Sequence, residues 1–520
     1  MTRACIVSLW LGSLAWAQTS ATPATPDPDA ASILAHILAQ KGTISAAELA
    51  SVQAAEAQDR IQILAGILRE KGILDTNDLA RLSLSPANTS QIPQVQTAAQ
   101  IPLVGPSSAN PTPNAPTTVA PSSPNAPPAT TQVGAERVET SSSKRVPLTI
   151  YGTILFNAGF NTRAMNLNDA GSIVTKPGSS DTANKPSYFE TPRQTRLGVR
   201  LDPTEVGNAL LTGVFEVDAY SSSAPFGNGI NMGLFRLRLA YGRLDWQNFA
   251  LEIGQDWSIF APLNPSSLAM YAVAEFNGSG NPWARVPQIR LEAKQTLNSA
   301  NRLLYQLAIS DPDVGDFSSD FTGTRPPGAG ELGRMPAIES RLAWGISSND
   351  RDYVIGLSGR YGRGRNIGAI NGATVIQPVD SWGAAVDYSL PFSRIFNLTG
   401  EAYIGRALGI YDVAAGESVG ALGTRGGHGV LSRGGWVQTQ FNVNKAWQLN
   451  FGYGIDNPSA YDLPVSSRDR NENLFGNFIY KLDANIQLSS EYRRLLTYYE
   501  DQAALTGRAN QFTFSAAYLF

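Results

Sequence analysis

From Pro147 to the carboxy terminus, apolar and polar residues alternate with a period of two. In the first such segment Leu148, Ile150, Gly152, Ile154, Phe156, Ala158 and Phe160 share one face. Thr149, Tyr151, Thr153, Asn157 and Asn161 share the other, with Leu155 the one misfit. That period marks a β-strand with one apolar face. It recurs at 147–160, 191–201, 209–220, 233–243, 248–258, 285–295, 302–310, 336–346, 352–362, 380–389, 396–406, 434–443, 447–456, 473–481, 485–497 and 511–520. These sixteen segments run to about ten residues each, the length a tilted strand needs to cross a bilayer.

The connections alternate in length. Long ones fall at 161–190, 221–232, 259–284, 311–335, 363–379, 407–433, 457–472 and 498–510, short ones at 202–208, 244–247, 296–301, 347–351, 390–395, 444–446 and 482–484. Eight long loops and seven short turns suit sixteen antiparallel strands with both ends on one side of a membrane. A soluble sandwich also alternates, but its second face would be apolar core. Here that face is polar along the strands, and aromatics mark the apolar face near strand ends, as with Tyr353 and Tyr361 or Trp382 and Tyr388. The pattern predicts an all-β transmembrane barrel around a polar interior. The last segment, QFTFSAAYLF (511–520), puts Phe512, Phe514, Ala516, Tyr518 and Phe520 on one face and ends on an aromatic residue, like the closing strand of Gram-negative outer-membrane proteins.

Upstream the period is helical. ILAHILAQKGTISAAELASV (33–52) aligns with ILAGILREKGILDTNDLARL (63–82) at nine of twenty positions, including Lys41-Gly42. Lys-Gly fits a helix stop, and Ser45 with Glu48, or Asp75 with Asp78, fits a helix start. This predicts a small α-helical periplasmic module over 18–82. Residues 83–146 carry eleven prolines among Ser, Thr, Ala, Asn and Gln, a composition that predicts an extended linker. Residues 1–17 read as a signal peptide: Arg3, an apolar run from Ala4 to Trp16, and the small-x-small pattern Ala15-Trp16-Ala17.

Composition narrows the class. The chain has 520 residues, 16% of them charged, with 48 Gly and mildly negative mean hydropathy. No run of about 20 apolar residues suggests a membrane helix. Forty basic against forty-three acidic residues give no nucleic-acid footprint. The single cysteine, Cys5, lies in the signal segment, which excludes disulfides and Cys-metal sites from the remainder. Neither a cofactor nor a metal site is expected. His36 and His428, in GTRGGHGV, read as surface residues; with no HExxH, GxSxG or CxxC, no enzyme is predicted.

Alternation assigns charge to the interior. Arg196, Arg200, Arg236, Arg238, Arg290, Lys294, Arg341 and Arg360 are expected to line a pore and offer anion-binding groups. Glu216, Asp218, Glu252, Asp256 and Glu292 are the expected acidic lining, with Glu339, Asp387, Glu401, Asp456, Glu491 and Arg493 in the same phase. Arginines can instead pair with acids on neighbouring strands and stiffen the wall. In the loop PLNPSSLAMYAVAEFNGSGNPWA (262–284), the apolar stretch Leu268–Phe276 suggests a short helix, folding inward to narrow the pore or meeting a second barrel.

TPRQTRLGVRL (191–201), FRLRLAYGRLDWQNFALEIGQDWSIF (235–260) and RVPQIRLE (285–292) resemble the DcaP-like outer-membrane porins and, more loosely, the phosphate-selective porin O and P group. The resemblance covers 147–520. It implies a sixteen-stranded, usually trimeric porin in the bacterial outer membrane that passes small anionic solutes such as dicarboxylates. It carries over Arg196, Arg200, Arg236, Arg238 and Arg290 as basic residues of the lumen. Members of that family carry a coiled coil upstream, where this chain has its 30-residue repeat and linker. The expected partners are outer-membrane lipid, small anionic solutes and two further copies of the chain. A second reading is an envelope tether whose residues 18–82 bind peptidoglycan or another periplasmic partner.

Overall fold

A computed structural model describes residues 32, 35, 36, 38, 39, 43–55 and 60–71 of the amino-terminal region. It also describes 147–520 except 222–233, 316–326, 412, 414–416, 465–466 and 500–505. The signal segment, the linker and the second copy's Asp75 and Asp78 lie outside the described residues. The chain divides into two compact units, 1–116 and 117–520.

In the first unit, Ser45 caps helix α1 (Ala46–Ala54). The Glu48 N–H donates to the Ser45 hydroxyl at 3.3 Å, and the Ser45 N–H donates to the Glu48 carboxylate at 2.6 Å, the reciprocal box that the spacing predicts. These bonds hold the Glu48 carboxyl below its ordinary pKa. Helix α2 (Arg60–Glu70) follows, and Ala35, Ile44, Val52, Leu64 and Leu68 form a small shared core.

The second unit is a closed antiparallel barrel of sixteen staves. Strand β1 (Leu148–Asn161) pairs with β3 (Arg196–Val206), which the short β2 (Ser187–Thr191) precedes on the same stave. Next come β4 (Ala209–Asp218), β5 (Arg236–Asp245), β6 (Phe249–Trp257), β7 (Arg285–Thr296), β8 (Asn301–Ser310) and, after helix α3 (Ala329–Leu332), β9 (Ala337–Ser348). The circuit continues through β10 (Arg351–Ile370), β11 (Ala373–Leu390), β12 (Phe396–Arg406), β13 (Leu431–Asn442) and β14 (Trp447–Pro458). It ends with β15 (Arg468–Lys481), β16 (Ile486–Tyr499) and β17 (Gly507–Leu519). Consecutive staves are hydrogen-bonded throughout, and β17 closes on β1 from Thr153↔Leu519 to Asn161↔Gln511. Among the described residues, closure leaves no stave of the wall without a partner on either side, which is what makes a sheet viable in lipid.

The outward face carries the apolar half of each strand. Ile154, Phe156, Phe160, Phe512, Phe514 and Tyr518 are all exposed, as are Tyr361 and Trp382, which face each other midway along β10 and β11. Such a surface is stable only against lipid.

Three sequence expectations change. Positions 363–379 are not a loop: β10 and β11 continue as a hairpin to the two-residue turn Asn371–Gly372, whose φ values are +51° and +80°. An Asn-Gly pair readily takes this conformation, so the strands run well beyond the length a bilayer needs. The second predicted strand is interrupted at 192–195, where Pro192 cannot donate to the ladder. On β5 the register against β4 shifts at Glu216/Val217, leaving Arg238 as the extra residue. This bulge moves every later β5 side chain to the opposite face, so Arg243 points inward.

Candidate functional site: the barrel lumen

Strand alternation places a continuous charged ladder on the inner wall from β3 to β11. Arg196 lies 3.5 Å from Glu216, and Arg238 bridges Glu216 at 2.8 Å and Asp218 at 2.9 Å. Arg236 meets Asp218 at 2.7 Å. Farther round, Arg290 reaches Glu252 at 2.6 Å, Asp256 at 2.9 Å and Glu292 at 3.2 Å. Arg243 joins the same group through Glu292 at 2.6 Å, Asp245 at 2.8 Å and Glu252 at 3.3 Å. Gln306 accepts from Arg341, which holds Asp387 at 2.6 Å, and Arg360 approaches Glu339 at 3.7 Å.

The acids Glu216, Asp218, Glu252, Asp256 and Glu292 lie buried on the inner wall. Arg196, Arg236, Arg238, Arg290, Arg341 and Arg360 share that wall, but each is committed to a carboxylate; Arg238 and Arg341 are 1% exposed and Arg290 2%. A guanidinium so bound has few donors left for a passing anion. Burial makes the pairing compulsory, because an unpaired charge away from water is far costlier than a paired one. Two basic positions differ. Lys294 is half-exposed, 3.6 Å from Asp245, and Arg200 is exposed beside the Tyr151 ring at 5.9 Å. Among the described residues no carboxylate pairs with Arg200. Both lie toward the short-turn end of the barrel, which also holds the carboxy terminus.

The opposite wall anchors the 258–284 connection, which folds inward. The Leu263 N–H donates to Glu401 on β12 at 2.5 Å, and the Ser266 N–H to Gln438 on β13 at 2.7 Å. The Ser267 hydroxyl donates to Glu491 on β16 at 2.6 Å. Gln194, ahead of β3, accepts from the N–H groups of both Tyr271 and Ala272 at 2.9 Å. Glu275 then pairs with the fully buried Arg493 at 2.9 Å and accepts from Asn473 at 2.6 Å. The connection leaves β6, spans the lumen to β12 and β13, touches β1, β3, β15 and β16, and returns to β7. It narrows the interior as the first of the two alternatives required. It does not form the expected helix: 268–276 is a series of turns and bends, since its backbone groups are taken by wall side chains.

Apolar contacts on the inner wall seat this loop. Leu155, the misfit of the first strand, is fully buried against Leu268, Ile479 and Ala517. Phe276 sits 5.2 Å from Phe475 and 6.0 Å from Trp436, ring to ring. At Gly280, φ is +110° and an added Cβ would lie 2.2 Å from the Gly435 carbonyl oxygen, so glycine alone permits this approach. A second inward connection, 407–430, buries Tyr411, whose hydroxyl donates to Glu339 at 2.7 Å. His428 belongs to that connection, with Nδ1 2.7 Å from the Pro378 carbonyl oxygen.

Alternation did not find Arg243, Asp245, Gln194, Gln306 or Glu275. The β5 bulge hid the first two from a count of odd and even positions. The glutamines carry no charge, and Glu275 lies in a loop without a period. An apolar residue in the inward phase, such as Leu155, Trp436, Phe475 or Ile479, is the one sequence signal that marks where a loop seats.

No family model matches the chain, and no curated relative does. Solved structures share the fold. The outer-membrane channel DcaP of Acinetobacter baumannii superposes with a TM-score of 0.52 at 19% identity, over 74% of this chain and 99% of that one. The anion-selective porin from Comamonas acidovorans gives 0.44 at 12% identity, over 72% and 99%. OprB of Pseudomonas putida gives 0.43 at 10%, over 72% and 94%. The resemblance read from the sequence thus extends to the fold, which is that of an outer-membrane porin.

Proposed function

We propose that the barrel sits in a bacterial outer membrane as a homotrimeric channel. Small hydrophilic solutes would cross it by diffusion, with a preference for small anions such as carboxylates or phosphate. One observation carries the reading. The wall is apolar and exposed outside but polar inside, and a polar interior in a closed sheet is a path for water and solutes. The trimer rests on the family resemblance alone.

The anion preference belongs to Arg200 and Lys294 rather than to the ladder. The paired arginines present their charge together with that of their carboxylates, so a passing ion meets little net field from them. Arg200 and Lys294 stand free enough to raise the local concentration of anions at the periplasmic mouth. Reversal potentials in planar bilayers under a salt gradient test this. The wild-type channel is expected to favour the anion, and Arg200→Gln with Lys294→Gln to reduce that preference at least about twofold. Cation selectivity in the wild type, unchanged by the double substitution, would defeat the anion assignment. Absence of any conductance from the folded barrel would defeat the channel itself.

A further inference from the structure

The outward face at the upper ends of β15, β16 and β17, away from the short turns, breaks the apolar rule. Arg494 and Arg508 are both exposed there, on neighbouring strands. Arg494 lies opposite Asn510 in the ladder, so the two arginines are diagonal neighbours. Among the described residues neither has an ion-pair partner. Arg470 extends the patch on β15, its guanidinium 3.8 Å from the Tyr498 ring centroid and 3.0 Å from Glu472. The patch thus holds three cations and one acid.

Its depth is fixed by the residues beneath. Tyr492 and Phe512 face each other two positions nearer the periplasm, with ring centroids 5.0 Å apart. Two residues of a tilted strand span roughly 5 Å of membrane depth. Below that pair the same face continues as Phe514 and Tyr518, both exposed. An aromatic pair at the top of an apolar belt marks the lipid–water boundary. Guanidinium groups immediately above it lie among lipid headgroups, where arginine is tolerated, rather than among acyl chains, where it is not. They also face away from the lumen, so permeating solutes do not meet them.

We propose that this patch binds the phosphate groups of an anionic membrane lipid. Phosphate matches the donor geometry, since each guanidinium can grip two of its oxygens. Two forks on adjacent strands can hold one phosphate or two neighbouring ones. The tyrosine and phenylalanine rings below would lie along the acyl chains of the same molecule.

Purified full-length protein in a neutral detergent, examined by native mass spectrometry, provides the test. The probes are bis-phosphorylated lipid A, phosphatidylglycerol and phosphatidylcholine. The wild type is expected to retain the anionic lipids over phosphatidylcholine, and Arg494→Gln/Arg508→Gln to lose that excess at least about fivefold. Heat-dependent gel mobility verifies that each barrel is folded, and the two single substitutions replace the double one should it fail to fold. Equal retention by wild type and variant would overturn the proposal. Displacement of the lipid by millimolar inorganic phosphate would identify a free-anion site and overturn the lipid assignment. Because these arginines face outward, single-channel conductance should be the same in both proteins, and neither lipid result bears on the channel reading.

Discussion

Removing residues 264–281 from the inward loop, with a short glycine-serine bridge in their place, is expected to raise single-channel conductance roughly two- to fivefold, because conductance follows the open cross-section at the constriction. The barrel should survive the deletion. The wall's sixteen staves are held by their own ladders. The polar side chains that the loop now occupies, Glu401, Gln438 and Gln194 among them, would be rehydrated by the water that replaces it. A gentler variant separates size from mobility. Phe276→Ala removes the ring between Trp436 and Phe475, and Glu275→Gln takes the carboxylate from Arg493. The loop remains but loses its apolar seat and its buried ion pair, so brief full openings should appear in single-channel records. Conductance unchanged in both variants would show that the narrowest point lies elsewhere, and the 407–430 connection would be next to remove.

Arg290→Ala is expected to destabilise the barrel by about 3–5 kcal/mol, the usual cost of breaking a buried charge group by deleting one partner. The size follows from Glu252, Asp256 and Glu292, all within 3.2 Å of this one guanidinium. Without it, Arg243 is the nearest remaining cation for Glu252 and Glu292. Urea or thermal unfolding, followed by the heat-dependent gel shift, reads the loss. Replacing Arg290 by leucine, Glu252 by glutamine and Asp256 by asparagine, each of similar size, should recover part of it. The same Arg290→Ala protein should shift its reversal potential only modestly, and toward cations, through the carboxylates left uncovered. A large change in selectivity with no change in stability would mean that Arg290 serves the solute rather than the wall.

These outcomes turn on a distinction that sequence blurred. Period-two alternation depends on local geometry, since successive side chains must point to opposite faces whatever the rest of the chain does. It therefore gave the strands and the barrel around a polar interior, and a side for each charge wherever the period runs unbroken. Its failures were local too. The bulge at Arg238 reversed the phase of β5 and concealed Arg243, and Asn371–Gly372 made a hairpin of what composition read as a loop.

Alternation determined that Arg196, Arg238 and Arg290 face inward, but not whether they are free. That depends on register, on which carboxylate of the neighbouring strand lies opposite, and register is set by bulges and by turn lengths. Glu252 lies opposite both Arg243 and Arg290 in the ladders, and this pairing of positions distant in sequence converts an apparent anion track into a braced wall. The path of the inward loop was likewise decided in three dimensions, where Leu155, Phe475 and Trp436 meet side chains from a connection with no period of its own. The sequence determined the barrel by the local geometry of a strand, with charges assigned to faces only where that geometry is regular. The tertiary structure alone decided which charges are spent on one another, because burial leaves them no other partner.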